Sequence, residues 1–179
     1  MLVFGTEIHI VTFVFVCLET VILFYLVTYK LARPEDNTTL LNITLISLLI
    51  VYNISGGLLP DPDLPGSFFL QEIVAYATGF ITPCYFPYYV YKAFDLGKMK
   101  FHAYRGVYLF LVLPYLIFVV VFAKTGNLIT AQQLLLLPVL YALWVIYSLA
   151  MAIKNKYGND FSSKKSKTEV AILFLSVTP

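Results

Sequence analysis

The sequence predicts an all-α fold: a polytopic transmembrane helical bundle of five complete spans plus a truncated sixth. Three observations carry that expectation. Charged residues make up 12% of the 179 residues, against about 25% in a soluble domain, so a water-exposed surface would have little to cover it. Mean hydropathy is +0.83. Apolar runs also recur at the right length, since a helix of about 20 apolar residues crosses the roughly 30 Å hydrocarbon core. A single transmembrane domain over residues 1–179 accounts for this pattern better than soluble modules on a tether.

The first span covers residues 8–31 and is ended by Lys30, Arg33 and Pro34, with a polar turn through Glu35, Asp36 and Asn37. The chain start lacks the short basic region and cleavage site of a signal peptide, so this run is expected to remain as a span. The second span, residues 38–59, is expected to be capped by Asn37 or Thr38. It stops at Pro60-Asp61-Pro62-Asp63-Leu64-Pro65-Gly66, where proline and glycine cannot continue a helix. The third span, residues 68–91, leads into a basic loop at 92–105. The fourth, residues 107–123, turns through Lys124-Thr125-Gly126-Asn127 into the fifth, residues 131–153. After a polar segment, the apolar run 168–179 is too short to cross a bilayer. It reads as the start of a sixth span, with a re-entrant or interfacial tail as the alternative. Prolines 83, 87, 114 and 138 fit membrane helices, where neighbouring groups take up the backbone partners that proline removes.

Orientation follows from the basic residues. Lys30 and Arg33, then Lys92, Lys98, Lys100 and Arg105, then Lys154, Lys156, Lys164, Lys165 and Lys167 all lie on odd-numbered loops. Lys124 alone lies on an even one. The positive-inside rule therefore places the N-terminus outside and the basic loops in the cytoplasm. Glu7, Asp61, Asp63 and Glu72 collect at the outer ends. Topology and attraction to anionic inner-leaflet lipid explain this asymmetry; a cationic or amine ligand on the acidic face is the alternative. Cys17 and Cys84 both fall inside spans, which argues against a disulfide framework.

Glu19 is the most informative single residue. It lies mid-way along the first span, where an acidic side chain costs about 2.5–3.5 kcal/mol on insertion scales. It is expected to face the bundle interior, protonated or paired with a donor, with Tyr or Asn from another helix as its partner. Thr12 lies seven residues earlier on nearly the same face. Asn42 and Asn53 share a face of the second span, as helix–helix glue or the wall of a polar cavity. In the third span, Glu72, Tyr76, Gly79 and Pro83 share a face, and Pro83 and Pro87 form a candidate hinge. Glu19, Thr12, Asn42, Asn53, Glu72 and Tyr76 are thus the candidate ligand-binding or switch residues. His9 and His102 lie far apart without a second ligand cluster, so no metal and no cofactor is expected. The absence of a Gly-rich phosphate loop, a Gly-x-Ser-x-Gly elbow and a His-Glu-x-x-His motif gives no reason to expect an enzyme.

The tract Ala77-Thr78-Gly79-Phe80, followed by Tyr85-Phe86-Pro87-Tyr88-Tyr89-Val90-Tyr91-Lys92-Ala93-Phe94, resembles the N-terminal seven-helix sensor region of bacterial signalling proteins. In those proteins a cytoplasmic histidine kinase or helix-turn-helix output domain follows the last helix. The resemblance spans the whole chain, rests on aromatic motifs and transfers no ligand-binding residue. It implies a truncated sensor region, because the chain stops before the sixth span is complete. A membrane sensor or receptor that passes a signal to a cytoplasmic output domain is therefore the expected function. A transporter or channel component built on Glu19 is the alternative. The expected partners are the lipid bilayer, a small or lipophilic ligand, the output domain in the same or a partner chain, and a second copy in a homodimer; no direct nucleic-acid contact is expected.

Overall fold

The computed structural model describes residues 8–157, and among these the fold is helical, with no strand. Glu7, Lys164, Lys165, Lys167 and the apolar run at 168–179 lie outside the described residues. Four helices are long and apolar enough to cross a membrane, and they mark the chain as an α-helical membrane protein. They are α1 (Ile10–Ala32), α2 (Asn37–Leu58), α4 (Gly97–Thr125) and α5 (Leu128–Lys156). The intervening α3 (Phe68–Ala93) is also long, but Gln71, Glu72 and its tyrosines dilute its apolar character. The chain divides into two compact units, and the division falls within α3, between Tyr89 and Val90.

In the first unit, α1 begins at His9, whose Nδ1 accepts the Val11 N–H at 3.3 Å and supplies one of the partners a helix N-terminus lacks. The turn after α1 is tied by the residues that mark it as a loop in sequence. Lys30 Nζ donates to the carbonyls of Pro34 (2.6 Å) and Asp36 (2.9 Å). The Arg33 guanidinium donates to the Tyr29 hydroxyl at 3.1 Å and lies 5.3 Å from that ring's centroid. The cap of α2 differs from expectation: it is Asp36, not Asn37 or Thr38. Its carboxylate accepts from Thr38 N (2.9 Å), Thr39 N (3.3 Å) and the Thr39 hydroxyl (2.8 Å), so one acidic side chain serves two open backbone donors. The Thr39 hydroxyl bond, helped by the two backbone donors, holds the Asp36 carboxyl below the usual carboxylate range.

α1 and α2 then pack along one another. At Gly57 the approach is close: a Cβ there would lie 3.3 Å from Ile8 Cγ1 and 3.6 Å from Thr12 Cγ2. Small residues at such crossings let backbones approach where apolar lipid gives helices no other reason to associate. The loop after α2 is fastened by Gln71, a buried residue of α3. Its Oε1 accepts the Asp61 N–H at 2.7 Å and its Nε2 donates to the Leu64 carbonyl at 3.3 Å. α3 stays helical through both Pro83 and Pro87.

The second unit corrects the expected boundary of the fourth span. Helix begins at Gly97, not near 107, so Lys98, Lys100, His102 and Arg105 are helical and not part of a loop. The physical reason is amphipathicity: Leu96, Met99, Ala103 and Val107 recur at helical spacing and are buried, while Lys98, Lys100 and Arg105 lie on the exposed side. α4 also departs from α geometry. It opens with a 3₁₀ turn at Gly97–Met99 and continues through two π-helical stretches, His102–Gly106 and Tyr108–Val112, before the α-helical Leu113–Thr125. Pro114 helps explain the widening: it has no N–H for the carbonyl four residues back, and its ring crowds that carbonyl. Gly126 ends α4 in the left-handed conformation (φ 63°), its N–H bonded to Phe122 O at 2.9 Å. Asn127 caps α5 by accepting the Thr130 N–H at 3.3 Å, so α5 starts at Leu128, three residues before the expected 131.

Candidate functional site

In the first unit, Glu19 meets an amide from the neighbouring helix. Asn53 Nδ2 donates to Glu19 Oε1 at 2.8 Å and to Oε2 at 3.0 Å. The residues come from the middle of α1 and the later part of α2, two helices whose apolar stretches offer few other donors. Among the described residues Glu19 has no cationic partner. One amide nitrogen thus serves both carboxyl oxygens, and the pair ties α1 to α2 as interhelical polar side chains do in membrane proteins.

Two further ties join α2 to α3. The Ser55 hydroxyl donates to Thr78 Oγ1 at 2.5 Å, and the Thr78 hydroxyl donates on to the Ala75 carbonyl at 2.9 Å, so each proton has a destination. The Tyr85 hydroxyl donates to the Leu41 carbonyl at 3.2 Å. Thr12 stands on the α1–α2 seam against Gly57, a few turns from Glu19. Asn42, Glu72 and Tyr76 are not brought into the Glu19–Asn53 contact. Asn42 and Tyr76 are half-buried, and Glu72 is buried beside the loop-fastening Gln71. Pro87 is buried and Pro83 exposed, and between the Gly79 turn and Pro83 the Thr82 hydroxyl is a buried polar atom without a hydrogen-bond partner among the described residues.

The second unit holds a polar centre that the sequence reading misses. His102, only 3% exposed, is set between two hydroxyls of α5: Nδ1 lies 3.2 Å from Tyr141 Oη and Nε2 lies 3.0 Å from Ser148 Oγ. The imidazole meets Trp144 edge-on, with ring centroids 4.9 Å apart, and Phe110 stacks on Tyr141 at 5.0 Å. A neutral ring is fully satisfied when Nδ1–H donates to Tyr141 and Ser148 donates to Nε2. Tyr141 also reaches the His102 carbonyl at 3.5 Å, the same carbonyl that accepts the Val107 N–H in the π turn. Gly106 makes room for this: a Cβ there would collide with the Tyr141 hydroxyl. His9, the other histidine, serves as a helix cap.

Comparison with protein-family models, curated proteins and solved structures finds no match.

Two predictions follow from these contacts. Asn53→Leu leaves the Glu19 carboxyl without its donor and should destabilise the folded state by about 1–3 kcal/mol. Glu19→Gln, which keeps an acceptor for the amide, should cost less. The two substitutions should couple by roughly 0.6–1.7 kcal/mol, as interhelical polar pairs in membranes do. Unfolding in mixed micelles by a double-mutant cycle measures this, and a coupling of zero would show that the contact contributes nothing. In the second unit, Gly106→Ala should expel Tyr141 from His102 and cost about 1–3 kcal/mol by overpacking. Trp144 is the chain's one tryptophan, so its emission reads this cluster directly. The spectrum should shift in Gly106→Ala and stay fixed in Gly97→Ala, where a Cβ meets nothing within 4 Å.

Proposed function

We propose that the chain is the membrane-embedded sensor region of a signalling protein, which passes a stimulus perceived within the bilayer to a cytoplasmic output domain in the same or a partner chain. The observation that supports this best is the Glu19–Asn53 contact across α1 and α2. A carboxyl group placed in hydrocarbon and held only by a neutral donor carries a standing cost. It persists where it does something that an apolar pair would not. Taking up a proton, a cation or a small lipophilic ligand changes the balance of the α1–α2 contact, and that differential affinity is what drives a switch.

In this reading the N-terminus is outside, and Lys30, Arg33, Lys92, Lys98 and Lys100, which lie at the helix ends and the turns between them, face the cytoplasm. α3 is then a fifth crossing. α3 is also the element that moves. Pro83 and Pro87 each remove a backbone donor from it, and Pro87 stands just before the division between the two compact units. The Thr82 hydroxyl, buried without a partner among the described residues, gives a second conformation of this helix a bond to gain.

Reading the frame beyond Pro179 should reveal a kinase or DNA-binding output sequence, whereas further symmetric helices would favour a transporter. In the full-length protein, Glu19→Gln should lock the output at one level over the stimulus range without reducing the amount of folded protein. Unchanged signalling would remove Glu19 from the mechanism, and loss of proton-coupled uptake into vesicles would reassign it to transport. Orientation has its own check: reporters fused after Lys98 and after Asp63 should report cytoplasm and exterior, and the reverse result would sink the proposed topology.

A further inference from the structure

Thr20, Thr28, Thr44, Thr78 and Thr125 each donate their hydroxyl to the carbonyl four residues back, at 2.7–3.1 Å. That is how a threonine in an apolar helix finds a partner without water. Thr82 departs from the pattern: its hydroxyl is buried and has no hydrogen-bond partner among the described residues. An open acceptor stands in the same turn. Pro83 has no N–H, so the Gly79 carbonyl loses the donor that α-helical geometry would give it. Gly79 lies three residues before Thr82, and a helical threonine reaches carbonyls three or four residues back. Thr78 shows that reach in the same helix, with its hydroxyl 2.9 Å from the Ala75 carbonyl.

A donor and an acceptor are thus left open one side-chain rotation apart. Closing that bond has a structural consequence, because back-bonding by threonine often bends a helix and a proline turn kinks readily. The same turn is where α2 bears on α3. The Ser55 hydroxyl donates to Thr78 Oγ1. A Cβ on Gly79 would lie 3.7 Å from Tyr52 Cε2, so the Tyr52 ring covers the glycine. Asn53, between Tyr52 and Ser55 in sequence, holds Glu19. One turn of α2 therefore meets the α1 carboxyl group and the open turn of α3.

We propose that the Gly79–Pro83 turn of α3 is a two-state joint. In one state the Thr82 hydroxyl is free; in the other it donates to the Gly79 carbonyl and α3 bends, and the contacts of Tyr52 and Ser55 set the balance. The inference rests on the sensor reading for its use and deepens it by naming the bond that α3 exchanges. One hydrogen bond shifts such a balance by roughly two- to tenfold, so its removal moves the populations by a readable amount.

The test is nuclear magnetic resonance of the full chain in bicelles. Gly79-Phe80 is the one Gly-Phe pair in the sequence. Glycine labelled with ¹³C at the carbonyl and phenylalanine labelled with ¹⁵N therefore give a single correlation, which reports the Gly79 carbonyl; hydrogen bonding moves it downfield. Pro83→Ala supplies the missing N–H and marks the bonded position, and Pro83 is exposed, so the change leaves no cavity. Thr82→Val lacks the proton and marks the open position. The wild-type resonance should stand between the two, and Thr82→Ser, which keeps the hydroxyl, should hold it there. Ser55→Ala should move it along the same line, and Thr82→Val in that background should cancel the movement. Helical circular dichroism and Trp144 emission confirm that each variant is folded. Coincidence of wild type with Thr82→Val, or a Ser55→Ala resonance that does not move, would overturn the joint, whatever Glu19→Gln does to signalling. Resonances that move as described in a chain that signals normally with Glu19→Gln would keep the joint and remove Glu19 from the sensor reading.

Discussion

Hydrocarbon offers no hydrogen-bond partners, and this constraint governs the polar contacts of the chain. An unpaired donor or acceptor at membrane depth costs several kcal/mol, so each polar side chain in an apolar helix must find its partner inside the protein. Asn53 meets Glu19 across α1 and α2. The Ser55 hydroxyl donates to that of Thr78, and the Thr78 hydroxyl donates to a carbonyl of its own helix. His102 lies between two hydroxyls. Helix ends obey the same requirement through His9, Asp36, Asn127 and Lys156, each of which supplies a partner for backbone groups that helix geometry leaves open.

How much of this is legible in sequence depends on how many solutions each residue has. A carboxyl group in the middle of an apolar run has few, so an Asn or Tyr from another helix could be named for Glu19 before the partner was known, and Asn53 is the one present. The cap of α2 was expected at Asn37 or Thr38, and the turn, in which Lys30 binds the Asp36 carbonyl, places it at Asp36 instead. The start of α4 was misread because charge spoke louder than spacing. Lys98, Lys100 and Arg105 resemble a loop, yet Leu96, Met99, Ala103 and Val107 carry a helical stripe that hydropathy averaging conceals. His102 was lost with that stripe. Its partners, Tyr141 and Ser148, are seven residues apart on one face of α5, a pairing that no local pattern around His102 could reveal.

The prolines show a second limit. Pro83, Pro87 and Pro114 look alike in sequence, each a missing donor in an apolar helix. α3 absorbs two of them while remaining α-helical, whereas the helix before Pro114 widens into π turns. The difference has a local cause around Gly106. There the absence of a side chain admits the Tyr141 hydroxyl, which bonds the His102 carbonyl beside its π-turn partner Val107. A widened turn exposes carbonyls that a side-chain hydroxyl can serve, and the hydroxyl in turn stabilises the widening.

The two polar centres differ in what surrounds them. Glu19 lies on a helix that has no buried residue, and both its carboxyl oxygens accept from the one amide nitrogen of Asn53. That contact joins α1 to α2 through a single pair of side chains. At His102 each ring nitrogen has its own hydroxyl, Tyr141 on one side and Ser148 on the other, so two residues of α5 hold one ring of α4. Burial and the aromatic wall make the second centre a fixed joint within its unit. The same requirement, that a polar group in an apolar helix find its partner inside the protein, is thus met once by a lone pair of side chains and once by a packed cluster.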